Sequence, residues 1–224
     1  MDASHSAKPV KAKWPVAAMF DDDNVSTRMK IFGDVRSGNC LKVKYTANHL
    51  GLAYTWKAVD IMQGESRSAD FLARNWQGQV PVVEFEDGRT LAQSNAIIRY
   101  LARGSALLPD DAYAQAKVDE MLFWEQYSHE PYVAVCRFQM LYLGRAAAER
   151  DAWRVERGEL ALDAMDSLLG TQPWMAGDRL SIADIALIAY TRLAHEGGFD
   201  LAGRPQVRQW ISRTERALGI ADAI

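Results

Sequence analysis

Three side chains suited to thiol chemistry, Ser37, Asn39 and Cys40, lie close together in the run Met29–Gly51, MKIFGDVRSGNCLKVKYTANHLG. Met29–Phe32 reads as a short apolar strand, Gly33–Asn39 as a polar turn, and Cys40–Leu50 as a helix closed by Gly51. Ser37 stands just before that helix, where unpaired N–H groups and the helix dipole favour a hydroxyl and an anion. A hydroxyl held there can donate to a bound thiolate and lower its pKa, which makes a thiol nucleophilic at neutral pH. The competing role is a plain N-cap, worth about 1 kcal/mol and no chemistry. Asn39 is either a second donor through its amide or a loop former. Cys40 shares an apolar face with Val43, Ala47 and Leu50, and free cysteine is among the most buried residue types, so core packing competes with reactivity.

The totals bound what these residues can belong to. At 224 residues there is room for one large domain or two small ones, and 49% hydrophobic with 25% charged residues is ordinary globular composition. A net charge of −3 with no Lys/Arg block gives no nucleic-acid footprint, and no apolar run is long enough to cross a bilayer. The two cysteines, Cys40 and Cys136, form neither a disulfide framework nor a metal-spacing motif, so no metal is expected and the reducing cytoplasm is the expected compartment.

The elements that must position the chemistry follow in order. Residues 1–28 show no sustained period and are expected to be a flexible extension, with Met29 opening the first domain. Ala53–Val59 is a second strand, so strand, helix and strand make a parallel βαβ unit. Gln63–Ser68 reads as a loop and Ala69–Arg74 as a short helix. Val82–Phe85 and Thr90–Ala92 form a hairpin around Glu86-Asp87-Gly88, and Ser94–Arg103 is a helix ending at Gly104. Residues 105–111 are a linker, and 112–224 is all helical: a long stretch Ala112–Tyr142 bent at Pro131, a helix Ala146–Leu169, a helix Ile185–Leu193 opened by a Ser181/Asp184 cap, and a last helix from Pro205.

Four patterns in this order, Ser37-Gly38-Asn39-Cys40, Gly78-Gln79-Val80-Pro81, Gln93-Ser94-Asn95-Ala96-Ile97 and Ser181-Ile182-Ala183-Asp184, resemble the cytosolic glutathione transferases. The likeness is to bacterial, serine-type members of the theta- and nu-like kind; Phe32 in place of a tyrosine disfavours the tyrosine type. The resemblance implies an α/β plus all-α architecture: a thioredoxin-like βαβ–ββα domain over 29–104 and a C-terminal helical bundle carrying the electrophile side. It implies that Pro81 is cis and that Val80 pairs with the cysteinyl backbone of glutathione. Gln93 and Ser94 would then hold the γ-glutamyl end, and Gln79 would lie near the glycyl end. Ser37 corresponds to the thiolate-binding hydroxyl, Asn39 to an assisting amide in a bacterial subgroup, and Cys40 to the cysteine that forms mixed disulfides in beta-type members.

For the electrophile, Val35 and Arg36 are expected to face Phe123, Trp124, Tyr127, Tyr132 and Phe138. His129 beside Glu130 suggests acid–base chemistry, although a lone helical histidine more often packs or faces solvent. The leading expectation is a homodimeric transferase joining glutathione, its co-substrate, to small hydrophobic electrophiles, without nucleic acid or membrane partners. A glutathione-dependent peroxidase or disulfide reductase using Cys40 is the alternative on the same fold. A non-catalytic interaction module is the alternative of another class, because function lives in the site and not the fold.

Overall fold

The computed structural model describes residues 29–220, so the expected extension over residues 1–28 lies outside the described residues. Four strands form one sheet in the order β2-β1-β3-β4. β1 (Met29–Gly33) runs parallel to β2 (Thr55–Ala58), with Ile31 opposite Trp56, and antiparallel to β3 (Val82–Phe85), with Ile31 opposite Val83. β4 (Thr90–Ala92) closes the edge as a hairpin with β3. The crossover helix α1 (Gly38–His49) begins two residues before the sequence expectation, because Ser37 already takes the extended N-cap conformation. α2 (Ala69–Arg74) starts at Ser68, whose hydroxyl accepts from the Phe71 N–H at 3.3 Å; the loop before it holds a 3₁₀ turn, Glu65–Arg67. α3 (Ser94–Leu101) completes the βαβ–ββα unit. Ile31, Val43, Ala47, Val83, Ile97 and Ile98 fill the space between sheet and helices.

The helical part begins with α4 (Ala112–Trp124), capped by the Asp111 carboxylate on the Ala114 N–H at 2.9 Å. The long helix expected over Ala112–Tyr142 is broken by a π turn, Glu125–His129, before α5 (Glu130–Leu141). The cause is Pro131, which lacks an N–H and crowds the carbonyl one turn back. A widened turn relieves both problems. The helix expected from Ala146 instead begins at Asp151, as α6 (Ala152–Leu169), after a separate 3₁₀ turn Ala147–Glu149 in which Glu149 accepts from the Ala146 N–H. α8 (Pro205–Leu218) has proline in its first turn and lays Val207 and Trp210 against the core.

α7 (Ile182–Thr191) is buried along its entire length and is the axis of this half. Its N-terminus is a reciprocal cap: Ser181 Oγ accepts from the Ala183 N–H at 3.2 Å, and Asp184 accepts from the Ser181 N–H at 3.0 Å. Asp184 also receives the Met175 N–H at 2.9 Å and the Trp210 indole N–H at 2.8 Å. The capping carboxylate therefore joins α7, α8 and the turn before α7. Its burial raises its pKa above the usual carboxylate range despite these donors. In Asp184→Ala four buried donors, the Met175 and Ser181 N–H groups, the Ser181 hydroxyl and the Trp210 indole, lose their acceptor, at about 1–3 kcal/mol each. The urea midpoint should fall by an amount equivalent to at least about 3 kcal/mol, and Asp184→Asn should fall between it and the parent.

Candidate active site

α1 is buried on more than its sheet-facing side. Cys40, Val43 and Ala47 face the first-domain core, while Lys42, Tyr45 and Thr46 are buried as well, because α7 covers the opposite face. Gly38 permits the close approach: a Cβ there would lie 2.5 Å from the Tyr190 ring. Tyr190 in turn accepts the Asn39 N–H at 3.2 Å. One of the unpaired donors of the helix start is thus satisfied from the helical domain. The Ser37 side chain makes no capping hydrogen bond. Its hydroxyl neighbours the Cys40 thiol and borders a cleft of about 560 Å³ between the two halves.

Ser37, Asn39, Gln79, Val80, Pro81, Gln93 and Ser94 share the wall of this cleft. The Val80–Pro81 peptide is cis. Gln93 is the only non-glycine residue with positive φ among the described residues, at 69°, and its Nε2 donates to Gln77 Oε1 at 2.9 Å. Such a backbone persists where its surroundings over-determine it, and here it turns the chain into the N-terminus of α3. Ser94 Oγ donates to Asn39 Oδ1 at 3.0 Å, and Asn39 Nδ2 donates to Glu130 Oε1 at 3.2 Å. Asn39 thus links the two halves, and one hydrogen of its amide is already committed.

Cys40 lies off the cleft, fully buried, and burial pushes its thiol up to about 12, against a smaller opposing effect of the Ser37 hydroxyl. It is held as the thiol, not the thiolate. The residues expected on the electrophile side are distributed differently from the expectation. Val35, Arg36, Phe123, Tyr127 and Tyr132 are not on the cleft wall. Arg36 stacks 4.4 Å over Tyr142, and the turn carrying it is latched to α5 by Tyr142 on Asp34 (2.8 Å) and Arg137 on the Arg36 carbonyl (2.6 Å). Phe123 and Tyr127 point outward, 74% and 80% exposed, and Tyr132 packs edge-on against Trp153. Phe123 lies before the π turn and Tyr127 within it; beyond the turn, whose extra residue rotates the helix by about 100°, Tyr132 is off the wall and Phe138 on it. Of the expected rings Phe138 borders the cleft, together with Ala134, Val135, Ile61 and Met62.

Sequence reading missed Arg67 and the Lys42–Glu125 pair, and named Glu130 only as the neighbour of His129. Arg67 borders the cleft with a single described partner, the Gln77 carbonyl at 2.9 Å, and is the one cation on the wall. Glu130 is the one acid there; burial, the largest cause, raises its pKa, Glu125 adds to the rise, and Lys42 and the Asn39 hydrogen bond oppose it. Behind the wall, Lys42 and Glu125 form a fully buried ion pair at 2.8 Å. Glu125 also accepts from Asn95 at 3.0 Å and Gln126 at 2.7 Å, while Lys42 reaches Asn95 at 3.4 Å and Ser94 at 3.5 Å. A lysine in an amphipathic helix reads as solvated, and only the arrival of a second domain makes it internal. His129, the other buried titratable group of the π turn, receives no substrate: its Nε2 meets the Thr191 hydroxyl at 3.0 Å and its Nδ1 has no partner among the described residues.

An α/β domain with a cis proline on its cleft, joined to a helical domain that completes the cleft, defines a thioredoxin-fold enzyme of the two-domain type. Residues 36–103 match the family model described as Glutathione S-transferase, N-terminal domain, and residues 146–213 match Glutathione S-transferase, C-terminal domain. The chain is 32% identical over 194 residues to Glutathione S-transferase 3 of Zea mays, covering 81% of this chain and 86% of that one. It is 32% identical to maleylacetoacetate isomerase of Rhizobium meliloti, over 76% of this chain and 83% of that one. A glutathione S-transferase crystal structure from Pseudomonas fluorescens superposes with a TM-score of 0.81 at 47% identity, covering 85% and 95% of the two chains. A second, from Xanthobacter autotrophicus, gives 0.80 at 43% identity over 84% and 92%. The chain belongs to the glutathione S-transferase family.

Two measurements test the buried chemistry. Lys42→Met leaves Glu125 a buried unpaired carboxylate and should lower stability by about 3–5 kcal/mol in urea, whereas Lys42→Met with Glu125→Leu should lose less than either single change. Burial lowers the His129 pKa to about 4, against an ordinary value of 6.5. The unfolded chain therefore binds this proton first as pH falls from 6.5 toward 4, and stability is lost over that window. Relative to His129→Gln, the parent should lose up to about 3 kcal/mol between pH 7 and 4.

Proposed function

We propose that Ser37 activates glutathione by donating its hydroxyl hydrogen to the sulfur, as in serine-type, theta- or nu-like members, and that the thiolate then attacks small hydrophobic electrophiles. The enzyme is a glutathione transferase. The observation carrying this reading is the Ser37 hydroxyl itself. It stands on the cleft wall at a helix N-terminus, and its hydrogen, within reach of the neighbouring Cys40 sulfur, can turn instead to an anion held in the cleft. Val80 offers its backbone to the cysteinyl unit, and Gln93 with the Ser94 N–H receives the γ-glutamyl carboxylate. Gln79 and Arg67 receive the glycyl carboxylate, which gives the one wall cation a partner. Asn39 fixes Ser94 and the helix start, with one amide hydrogen left for the sulfur. A Cys40 disulfide-exchange route gains no support from a buried, protonated thiol.

The reading includes a cytoplasmic homodimer, for which the outward rings Tyr113, Phe123 and Tyr127 on one side of α4 and the π turn offer an apolar surface. Among the described residues no helix is long and apolar enough to cross a membrane. The test is the ultraviolet difference absorbance of bound glutathione against pH. A thiolate band should appear well below the free-thiol value of about 8.5. Ser37→Ala should move the band to higher pH and lower kcat/KM at pH 7 by about a hundredfold. The defect should shrink as pH rises and free thiolate forms. Glutathione binding without a shifted band, or an unchanged band in Ser37→Ala, would assign the activation elsewhere.

A further inference from the structure

Glu130 is the one acidic side chain on the cleft wall, and the thiolate chemistry above does not use it. It starts a stripe along α5: Glu130, Ala134 and Phe138 recur one turn apart and all border the cleft. The surface facing the thiol-activating end of α1 is thus a carboxyl followed by a small residue and a ring. Such a wall fits an electrophile with an apolar body and a polar acceptor atom at one end. Glu130 Oε1 is fixed by the Asn39 amide at 3.2 Å, while Oε2 has no hydrogen-bond or ion-pair partner among the described residues. The helix runs on unbroken from the π turn, so the carboxyl caps no free helix end.

We propose that Glu130 is a catalytic proton donor for the electrophile, and that the cleft serves acceptors whose adduct must gain a proton, the α,β-unsaturated carbonyls. The inference rests on the glutathione transferase reading of the same cleft. The thiolate sulfur forms a bond to the β-carbon. The carbon–carbon π pair moves toward the carbonyl carbon, and the carbonyl π pair moves onto oxygen. The Glu130 O–H bond breaks and its proton passes to that oxygen, giving an enol that returns to the ketone through solvent. The carboxylate left behind takes the thiol proton of the next glutathione, so each turnover moves one proton from thiol to product. Displacement of halide from an aryl ring needs no such donor, because the halide leaves with its bonding pair. The charged and titratable groups around Glu130 are Lys42 from α1, Glu125 from the π turn and Tyr190 from α7. Burial and Glu125 favour the protonated carboxyl that a donor requires, and Lys42 opposes them.

The experiment compares Glu130→Gln with the parent, using methyl vinyl ketone and chlorodinitrobenzene as electrophiles, with the thiolate band recorded for both proteins. The ratio of ketone to chloride kcat/KM should fall by about a hundredfold. The parent's ketone activity should decline at high pH as Glu130 loses its proton, a limb absent from Glu130→Gln and restored in Glu130→Asp. In the parent alone, a solvent deuterium isotope effect on the ketone reaction and none on the chloride supports the same step. Equal loss on both substrates, or an unmoved ratio with the thiolate band intact, overturns the role of Glu130 and leaves the transferase reading standing. A parent without a thiolate band and without conjugation of either probe overturns both.

Discussion

The Lys42–Glu125 ion pair is the constraint on which the rest of this structure depends. Both charges are fully buried, one on the first helix of the α/β domain and the other in the π turn of the helical domain. Removing two charges from water costs several kcal/mol per ion, and attraction offsets that only with good geometry and further hydrogen bonds. Asn95, Gln126 and Ser94 supply those bonds. A displacement of one domain against the other would leave one charge uncompensated, so a single relative placement is favoured over sliding alternatives. That placement brings α5 against the start of α1 and so creates the cleft.

The π turn is the helical domain's side of the same arrangement. Pro131 forbids a regular helix, and the widened turn that accommodates it puts Glu125 and His129 inside and Glu130 on the cleft. One backbone irregularity therefore sets the locking charge, a buried neutral imidazole and the acid on the wall. The neutral histidine fits this setting, because a second cation beside Lys42 would compete for Glu125.

Much of the fold was legible because it rests on local signals. The bounds of α2, β3 and β4 coincide with the sequence reading, since Ser68 caps, Gly88 turns and short β-branched runs are written into adjacent residues. The Ser181/Asp184 cap was equally readable, although its use of Trp210 and Met175 was not, because those donors arrive from elsewhere in the chain. Of the residues in the family motifs, Ser37, Asn39, Gly78, Gln79, Val80, Pro81, Gln93 and Ser94 fall on one wall because strand ends and helix starts place them there. On the electrophile side, Phe138 alone of the expected rings borders the cleft. The helix faces beyond the π turn depend on a helical phase that the turn resets, and the burial of Lys42 depends on a domain that α1 alone does not announce.

The start of α1 shows why the helical domain belongs to the chemistry and is not only a lid. In an isolated helix the serine at the N-cap would turn its hydroxyl oxygen to the first N–H groups. Here Tyr190 supplies an acceptor for the Asn39 N–H, and Gly38 lets its ring come close enough to do so. With that donor satisfied from the other domain, the Ser37 hydroxyl makes no cap and faces the cleft. Burial raises the Tyr190 phenol well above the ordinary range, so it meets the Asn39 N–H as a neutral acceptor. The second domain thus changes what a capping residue does: a serine that would otherwise bond the first turn of its helix lies uncapped on the cleft wall.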